Sequence, residues 1–556
     1  MATHQVFNVP EPWTGINLFS DDRALSNAVR SAGADQGQLD RLSELGRLAG
    51  TPQAQDWARQ ANQFEPALRS HDRYGHRIDE VEFHPAWHEL MTVAVANGLQ
   101  AAPWSDDAEK HSHLARAAGF YVWSQVEQGH LCPISMSYAV LPALRHNLEL
   151  SALYGPGLLS QAYDFGLRTP STKAGLLAGM AMTEKQGGSD VRANTTQARA
   201  NSDGSYSITG HKWFCSAPMC DLFLTLAQTE AGLSCFLVPR ILPDGTRNAF
   251  AIQRLKDKLG NRSNASSEVE FDGTTGWLVG QEGRGVPTII EMVTMTRLDC
   301  VIGSAAIQRT ALTQAMHHLD GRSAFGRRLS DQPLMQEVVA DLAVEVAAAN
   351  ALFLRLAAAV DAGESPLLRL AVAAAKFWVC KRTPTVVGEA LECLGGAGYV
   401  EESPLPRYFR ESPLNSIWEG SGNVIALDVL RAIGREPQAV QALQDELALS
   451  AGADPRLDRA GDELAKRIAG LGSDPDDDAR QARSLASLLT RTLQGSLLVR
   501  AADDPSSSVV AESYLRTRLG ARPAAVAGDR DSLGSTATSS LLEYANPNRA
   551  RSERTG

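Results

Sequence analysis

MTEKQGGSD, Met182 to Asp190, stands where the chain changes texture. Before it, apolar residues recur at helical spacing; after it, short β-type runs follow one another. Its Gly-Gly-Ser can expose backbone N–H groups to an anion, and Thr183 and Ser189 add hydroxyls, a combination suited to a phosphate-bearing ligand. On local pattern alone, a surface turn with a Ser-Asp cap accounts for the same residues.

Outward toward the N-terminus, HPAWHELMTVAVANGLQ and HLARAAGFYVWSQVEQG carry helical periodicity between Pro and Gly loops. In the other direction TTQARA, SYSITG, LFLTLAQ, LSCFLVP and SSEVEFDG predict a small antiparallel sheet or barrel ending near Gly283. Helical spacing returns over 287–320, 331–361, 366–394 and 422–433, which predicts a four-helix bundle; Pro384 should kink or split its third member. After Gly434, DPRLDRAGDELAKRIAG and ARSLASLLTRTLQGSLLVRAA read as amphipathic helices divided by acidic GSDPDDD. From about Ala521 the chain is poor in large apolar groups and is expected to be frayed or disordered. The fold class is therefore mainly α with a central β-domain. The expected domains are an N-terminal helical domain (1–179), a β-domain (180–284), a four-helix bundle (285–435) and an additional C-terminal helical region (436–556).

A chain of 556 residues exceeds one compact core. A net charge of −11 excludes a surface that is a nucleic-acid footprint throughout, though a local basic stripe stays open. The seven cysteines form no C-x-x-C pair and no zinc-type spacing, so they read as reduced, buried thiols and no metal site is expected. The start, MATHQVFNVPEPW, has no basic region followed by an apolar run, and the expected location is the cytoplasm. LAVEVAAANALFLRLAAAV, 342–360, is interrupted by Glu345, Asn350 and Arg355, so it reads as a core helix and not a membrane span.

Four further pieces carry candidate chemistry. GHKWFCS (210–216) is an aromatic pair ending in a hydroxyl, and GRSAFG (321–326) sets Arg322 and Phe325 three apart at the end of a helix, where a guanidinium can meet phosphate and a ring can stack on a base. LGGAGY (394–399) looks like half a dinucleotide loop, but it follows a helix and has Glu401 where a third glycine is needed, which rules out a Rossmann site. NSIWEGSGNVIALDVL (415–430) puts Glu419 between a tryptophan and a Gly-Ser-Gly turn ahead of a helix, with Ser421 and Asn423 as candidate caps or phosphate contacts. Singly, each has a bland reading: a strand, a solvated arginine, a loop, a cap.

In this order, MTE-x-x-GGSD, K-W-F-x-S, R-x-x-F-G, GG-x-GY and WEG-S-G-N resemble the acyl-CoA dehydrogenase family, and within it the branch of alkylation-response flavoproteins. The resemblance runs from roughly Phe7 to Arg435 and implies an FAD site. Met182, Thr183, Gly188 and Ser189 fall on its first flavin-contacting segment, and Phe214, Cys215 and Ser216 on its second, where the Ser216 hydroxyl faces the flavin ring near N5. Arg322 and Phe325 match contacts to the ADP half of FAD. Gly395 and Gly396 match a loop that approaches FAD from a neighbouring subunit, and Gly420, Ser421 and Asn423 follow the base.

Glu419 matches the family's catalytic base, which removes the α-proton of an acyl thioester while the β-hydride passes to the flavin. That chemistry asks for a carboxylate kept basic by an apolar setting, to which Trp418 and Ile417 are expected to contribute; a nearby helix N-terminus opposes it. Some relatives carry the base before an arginine on the first bundle helix, but here that place is Thr296 before Arg297.

The sequence departs from the family at Lys185 and Gln186, where a Pro-containing turn is common, at Trp418, where the family has Tyr, and in the region after the bundle. The resemblance implies that this last region binds duplex DNA. From Glu436 onward it holds 15 basic and 18 acidic residues, 14 of the basic ones arginine, so it is not net basic. Two functions are thus expected, and they can coexist: α,β-desaturation of an acyl thioester, and DNA-associated protection with little turnover. Flavin-dependent dealkylation of damaged bases is a third that no residue demands. A homotetramer is the family's usual form.

Overall fold

Alternation along YSITGHKWFCS favours a strand with one buried face, and this segment forms the longest strand but one of the central sheet. The structure, a computed structural model, describes residues 3–520, 526–528 and 533–546. Its strands are β1 (Ala67–His71), β2 (Arg77–Glu82), β3 (Ala178–Ala181), β4 (Gln197–Ala200), β5 (Tyr206–Ser216), β6 (Leu222–Thr229), β7 (Gly232–Pro239), β8 (Phe250–Leu255), β9 (Ser266–Val279), β10 (Ser323–Ala324) and β11 (Arg327–Arg328). The seven-stranded sheet runs β3-β6-β4-β5-β9-β7, with β8 on β9, and an added β6–β7 pairing curls it back on itself. The sheet is mostly antiparallel, as expected; β3 and β4 meet β6 in parallel.

Packing groups the chain differently from texture. One compact unit holds Gln53–Ser112 and Val126–Asp299, with the sheet and the β1–β2 hairpin; the other holds Met1–Pro52, His113–Gln125 and Cys300–Gly556. In the second unit the helix Ser112–Ser124 has its first turn capped by Asp361, whose carboxylate accepts from the His113 and Leu114 amides, both at 2.9 Å. Asn350 donates to the Tyr121 hydroxyl at 3.0 Å.

The bundle helices are Gly285–Gly321, Pro333–Asp361, Ser365–Cys393 and Gly422–Arg435. The helix Pro333–Asp361 is long and apolar enough to cross a membrane, but 78 % of that apolar window is buried inside the protein, so it serves as a core helix. Ser365–Cys393 runs as one continuous helix through Pro384, so of the expected kink or split the split does not occur. Proline removes one amide donor, and the adjacent Thr383 hydroxyl donates to the Val379 carbonyl at 2.8 Å in the same turn.

The region after Arg435 packs into this same unit through buried charge. Arg518, at the end of the helix Pro505–Arg518, donates to Asp341 at 2.7 Å and Glu345 at 2.9 Å on Pro333–Asp361. Burial alone would raise the Glu345 carboxyl, but Arg382 and Arg518 together hold it below its ordinary range. The expectation of a frayed tail fails for Ser535–Ala545, which is a helix: Leu541 and Leu542 are buried, and Arg309 donates to the Ala545 carbonyl at its C-terminus at 2.9 Å. Residues 521–525, 529–532 and 547–556, on which that expectation also falls, lie outside the described residues.

Candidate active site

In the sheet unit, Met182 and Thr183 continue β3, and the Trp213 amide donates to the Thr183 carbonyl at 2.8 Å, tying the two expected flavin segments together. Glycine is required at 188, because a Cβ there would collide with the Thr183 side chain. Ser189 is exposed. The turn is anchored from inside by Glu184, whose carboxylate pairs with Lys212 at 2.9 Å, both side chains fully buried. The Thr195 and Thr196 amides donate to it at 2.7 and 3.2 Å. Burial opposes ionisation of Glu184; Lys212 and the hydrogen bonds outweigh it and hold the carboxyl far below the usual range. For Lys212 burial lowers the pKa against the attraction of Glu184; the ionised glutamate, held by amides as well as by the ammonium, is the firmer member.

A bulge in β5 sits at the second segment: Lys212 pairs with Val269 and Cys215 with Ser267, so one extra residue interrupts the ladder. Lys212 and Cys215 are therefore both buried, while Phe214 between them is 51 % exposed. The Cys215 side chain points into the sheet core, where burial pushes its thiol up to about 12; any ligand contact by Cys215 is a backbone one. Ser216 closes the strand, its hydroxyl 3.4 Å from that of Ser266. Lys256, which sequence reasoning missed, sits 3.4 Å above the Trp213 ring and 4.8 Å from that of Phe214, paired with Glu268 at 2.6 Å.

In the bundle unit, Arg322 directly follows the end of the helix Gly285–Gly321, as expected, and Phe325 lies in the turn of the β10–β11 hairpin that comes next. Phe325, with φ +54°, and Gly326, with φ +81°, form the two-residue turn that a right-twisted hairpin favours, leaving the ring 98 % exposed. Asn8 fixes the hairpin by bonds to the Ser323 amide and carbonyl, and Arg322 donates to the Asn8 carbonyl at 3.1 Å. Gly395, with φ +59°, and Gly396 are exposed, and nothing lies within 4 Å of a Cβ built at either.

Glu419 and Gly420 adopt φ +56° and +106°, two consecutive residues in the left-handed region. Glycine tolerates this; glutamate is held there at a cost of about 1–3 kcal/mol. One Glu419 carboxylate oxygen is shielded from solvent. Trp418 is half-buried, but Ile417 is 62 % exposed, so within this chain Ile417 does not supply the apolar cover expected of it. Ser421 occupies the N-cap position of Gly422–Arg435 without a side-chain capping bond, and Asn423 accepts from Arg483 at 2.7 Å. Asn415 donates to Ser304 at 3.1 Å, and Lys376, invisible to motif reading, donates from Nζ to the Gly420 carbonyl. The sequence signal for it was there: a lone lysine in the apolar run AVAAAKFWVC. Met182 to Ser216 are thus brought together in one unit, and Arg322, Phe325, Gly395, Gly396 and Glu419 to Asn423 belong to the other. All seven cysteines are buried thiols, and no cluster of metal-ligand type occurs among the described residues.

Family models cover most of the chain. Residues 8–165 match the adaptive response protein AidB N-terminal domain, 179–274 the acyl-CoA dehydrogenase middle domain, and 283–434 the acyl-CoA dehydrogenase C-terminal domain. The chain is 45% identical to AidB of Escherichia coli (strain K12) over 529 residues, 94% of this chain and 96% of the relative. The crystal structure of Caenorhabditis elegans ACDH-11 in complex with C11-CoA superimposes with a TM-score of 0.85 at 25% identity, covering 100% of this chain and 96% of that one. A Bacillus anthracis acyl-CoA dehydrogenase complexed with FAD shares the fold at a TM-score of 0.67 and 17% identity, over 84% of this chain and 90% of that one. Five motifs in family order, the helix–sheet–bundle architecture and identity along nearly the whole chain converge: this protein belongs to the acyl-CoA dehydrogenase family, in its AidB-like branch.

Proposed function

We propose that this protein holds FAD and desaturates an acyl thioester between Cα and Cβ, with Glu419 as the base. The observation that carries the reading is the conformation of Glu419: a glutamate kept in the left-handed region, one oxygen out of solvent, while the N-cap position belongs to Ser421. A residue selected only to cap the helix has no need of that strain.

The residues suit the cofactor. In the sheet unit, the close turn at Gly188, the exposed ring of Phe214 and the Ser216 hydroxyl are surfaces a flavin dinucleotide can use; in the bundle unit, so are the open backbone at Gly395 and Gly396 and Ser421 at a helix start. FAD, when bound, supplies the two-electron acceptor that takes the β-hydrogen with its electron pair. Glu419 takes the α-proton, and in this reading its backbone N–H is the donor to the thioester carbonyl as charge develops there. The solvent-facing Phe325 and the open glycine loop support a site completed by a neighbouring copy, in a homotetramer. The seven buried thiols suit a reducing compartment such as the cytoplasm.

Anaerobic mixing of the FAD-loaded protein with saturated straight-chain acyl-CoAs of increasing length tests this. Loss of the oxidised-flavin absorbance with at least one chain length is expected, and a chain near eleven carbons is the first to try, since the full-length structural relative was crystallised with C11-CoA. Unchanged absorbance across the panel contradicts the reading.

Duplex-DNA binding through residues 436–556, with little turnover, is the alternative that the resemblance raises. Five arginines in that region, Arg456, Arg467, Arg480, Arg500 and Arg518, are paired with carboxylates of the same chain. Arg491 donates to the Arg518 carbonyl and lies over Trp378. A pairing that already neutralises the guanidinium leaves little to release phosphate counterions. We therefore expect only non-specific affinity, on the order of 10⁻⁴–10⁻⁶ M at physiological salt, which an Arg459→Glu, Arg483→Glu variant weakens only modestly. Tight binding that falls steeply with salt and is lost in that variant would favour the DNA reading.

A further inference from the structure

Lys376 is a buried ammonium that the proposed chemistry leaves without a task. It lies in the middle of Ser365–Cys393, 1 % exposed, among buried Ala373, Ala374, Ala375, Phe377 and Cys380. An ammonium in such surroundings is costly unless its hydrogens are used. Its Nζ donates to the carbonyl oxygen of Gly420, the residue directly after Glu419.

That carbonyl is the handle of the left-handed turn. Glu419 at φ +56° relaxes toward the right-handed wells unless something fixes the chain beyond it, and Gly420, at +106°, is the most easily rotated residue in the segment. A charge-assisted hydrogen bond from a rigid helix fixes the peptide plane that follows Gly420 and removes that freedom. The same helix steadies the segment at a second point one turn on. Ser304 donates to the Cys380 sulfur at 3.2 Å and accepts from Asn415 at 3.1 Å, four residues before Glu419.

We propose that Lys376 is a positioning residue: by anchoring the Gly420 carbonyl it holds the Glu419–Gly420 turn in the conformation that presents the carboxylate to the thioester. This rests on the reading of Glu419 as the base. Lysine suits the place because it is donor-only, and its charge stays on one compact group at the end of a chain long enough to leave the helix.

The test is a double-mutant cycle read by single-turnover loss of flavin absorbance with a saturating acyl-CoA. Its members are the FAD-loaded wild type, Lys376→Met, Glu419→Gln and the double variant, each with its flavin content and half-saturating thioester concentration measured. Lys376→Met should slow the loss by about 10- to 100-fold, the scale of a misplaced reacting group, with flavin content and half-saturation little changed. In the Glu419→Gln background the same change should have almost no further effect, because a residue acting through the carboxylate has nothing left to position. Lys376→Arg, which keeps a charged donor, should recover part of the rate. Equal fold-losses in both backgrounds, or a wild-type rate in Lys376→Met, overturn the inference alone. A Glu419→Gln protein that bleaches at the wild-type rate overturns the reading of Glu419, and the inference with it. Should Lys376→Met fail to retain flavin, Lys376→Gln, whose shorter neutral amide keeps a donor but not the reach, is run through the same cycle and judged by the same ratio.

Discussion

Glu419→Gln will slow the bleaching of bound flavin by an acyl-CoA by about 10²–10⁴-fold, the range that one positioned general base contributes. The amide has the shape of the carboxylate, so the turn held by Lys376 and Asn415 should survive, while its basicity is gone. The loss should fall on the rate and not on thioester affinity, because the proton is shared only in the transition state. The position that carries the base in some relatives holds no acid here: it is Thr296, which is buried and whose hydroxyl already donates to the Met292 and Val293 carbonyls. Stopped-flow absorbance under anaerobic conditions measures the effect; a rate within about threefold of wild type, on a scale where a base is worth at least a hundredfold, removes Glu419 from the mechanism.

Lys212→Met will destabilise the sheet unit by about 3–5 kcal/mol, since it leaves the Glu184 carboxylate buried without its cation. Lys212 also donates to the Leu226 carbonyl at 2.8 Å, a second bond lost. Removing both charges together, Lys212→Met with Glu184→Gln, should cost less than the single change, because the uncompensated ion is what is expensive. Urea unfolding of the three proteins decides this; a double variant less stable than Lys212→Met would contradict it.

The pair also predicts an acid limit. The folded-state pKa of Glu184 lies below its unfolded value, so its contribution is complete above the ordinary glutamate range, about 4.3, and is lost progressively as pH falls below it. Wild type should lose stability over that window more steeply than the double variant. The consequence reaches the site, because Glu184 bridges to Gly187 within the turn that carries Gly188.

Much of the architecture was legible because it rests on periodicity. Strand segments and bundle helices read from two-fold and helical spacing lie close to those observed, since both patterns reflect burial of one face. The helix Ser535–Ala545 escaped because its stability comes from Leu541 and Leu542 docking on other helices, and eleven mostly small residues carry no such information locally. Helix Ser112–Ser124 reads as part of the first helical region, yet packs with the bundle through Asp361 and Asn350, partners more than two hundred residues away. At the candidate site, motifs point to Glu419, Gly188 and Ser216. They did not reveal the bulge that turns Phe214 outward, the hairpin that displays Phe325, or the lysines at 212, 256 and 376, whose roles depend on non-local partners.

Product analysis reads the transfer of two hydrogens out of the thioester without intermediaries. Stoichiometric FAD-loaded protein and a saturated acyl-CoA, incubated without oxygen and separated by mass, should return a thioester lighter by two hydrogens in proportion to the flavin colour lost. A thioester recovered unchanged beside fully oxidised flavin, at every chain length, would contradict it.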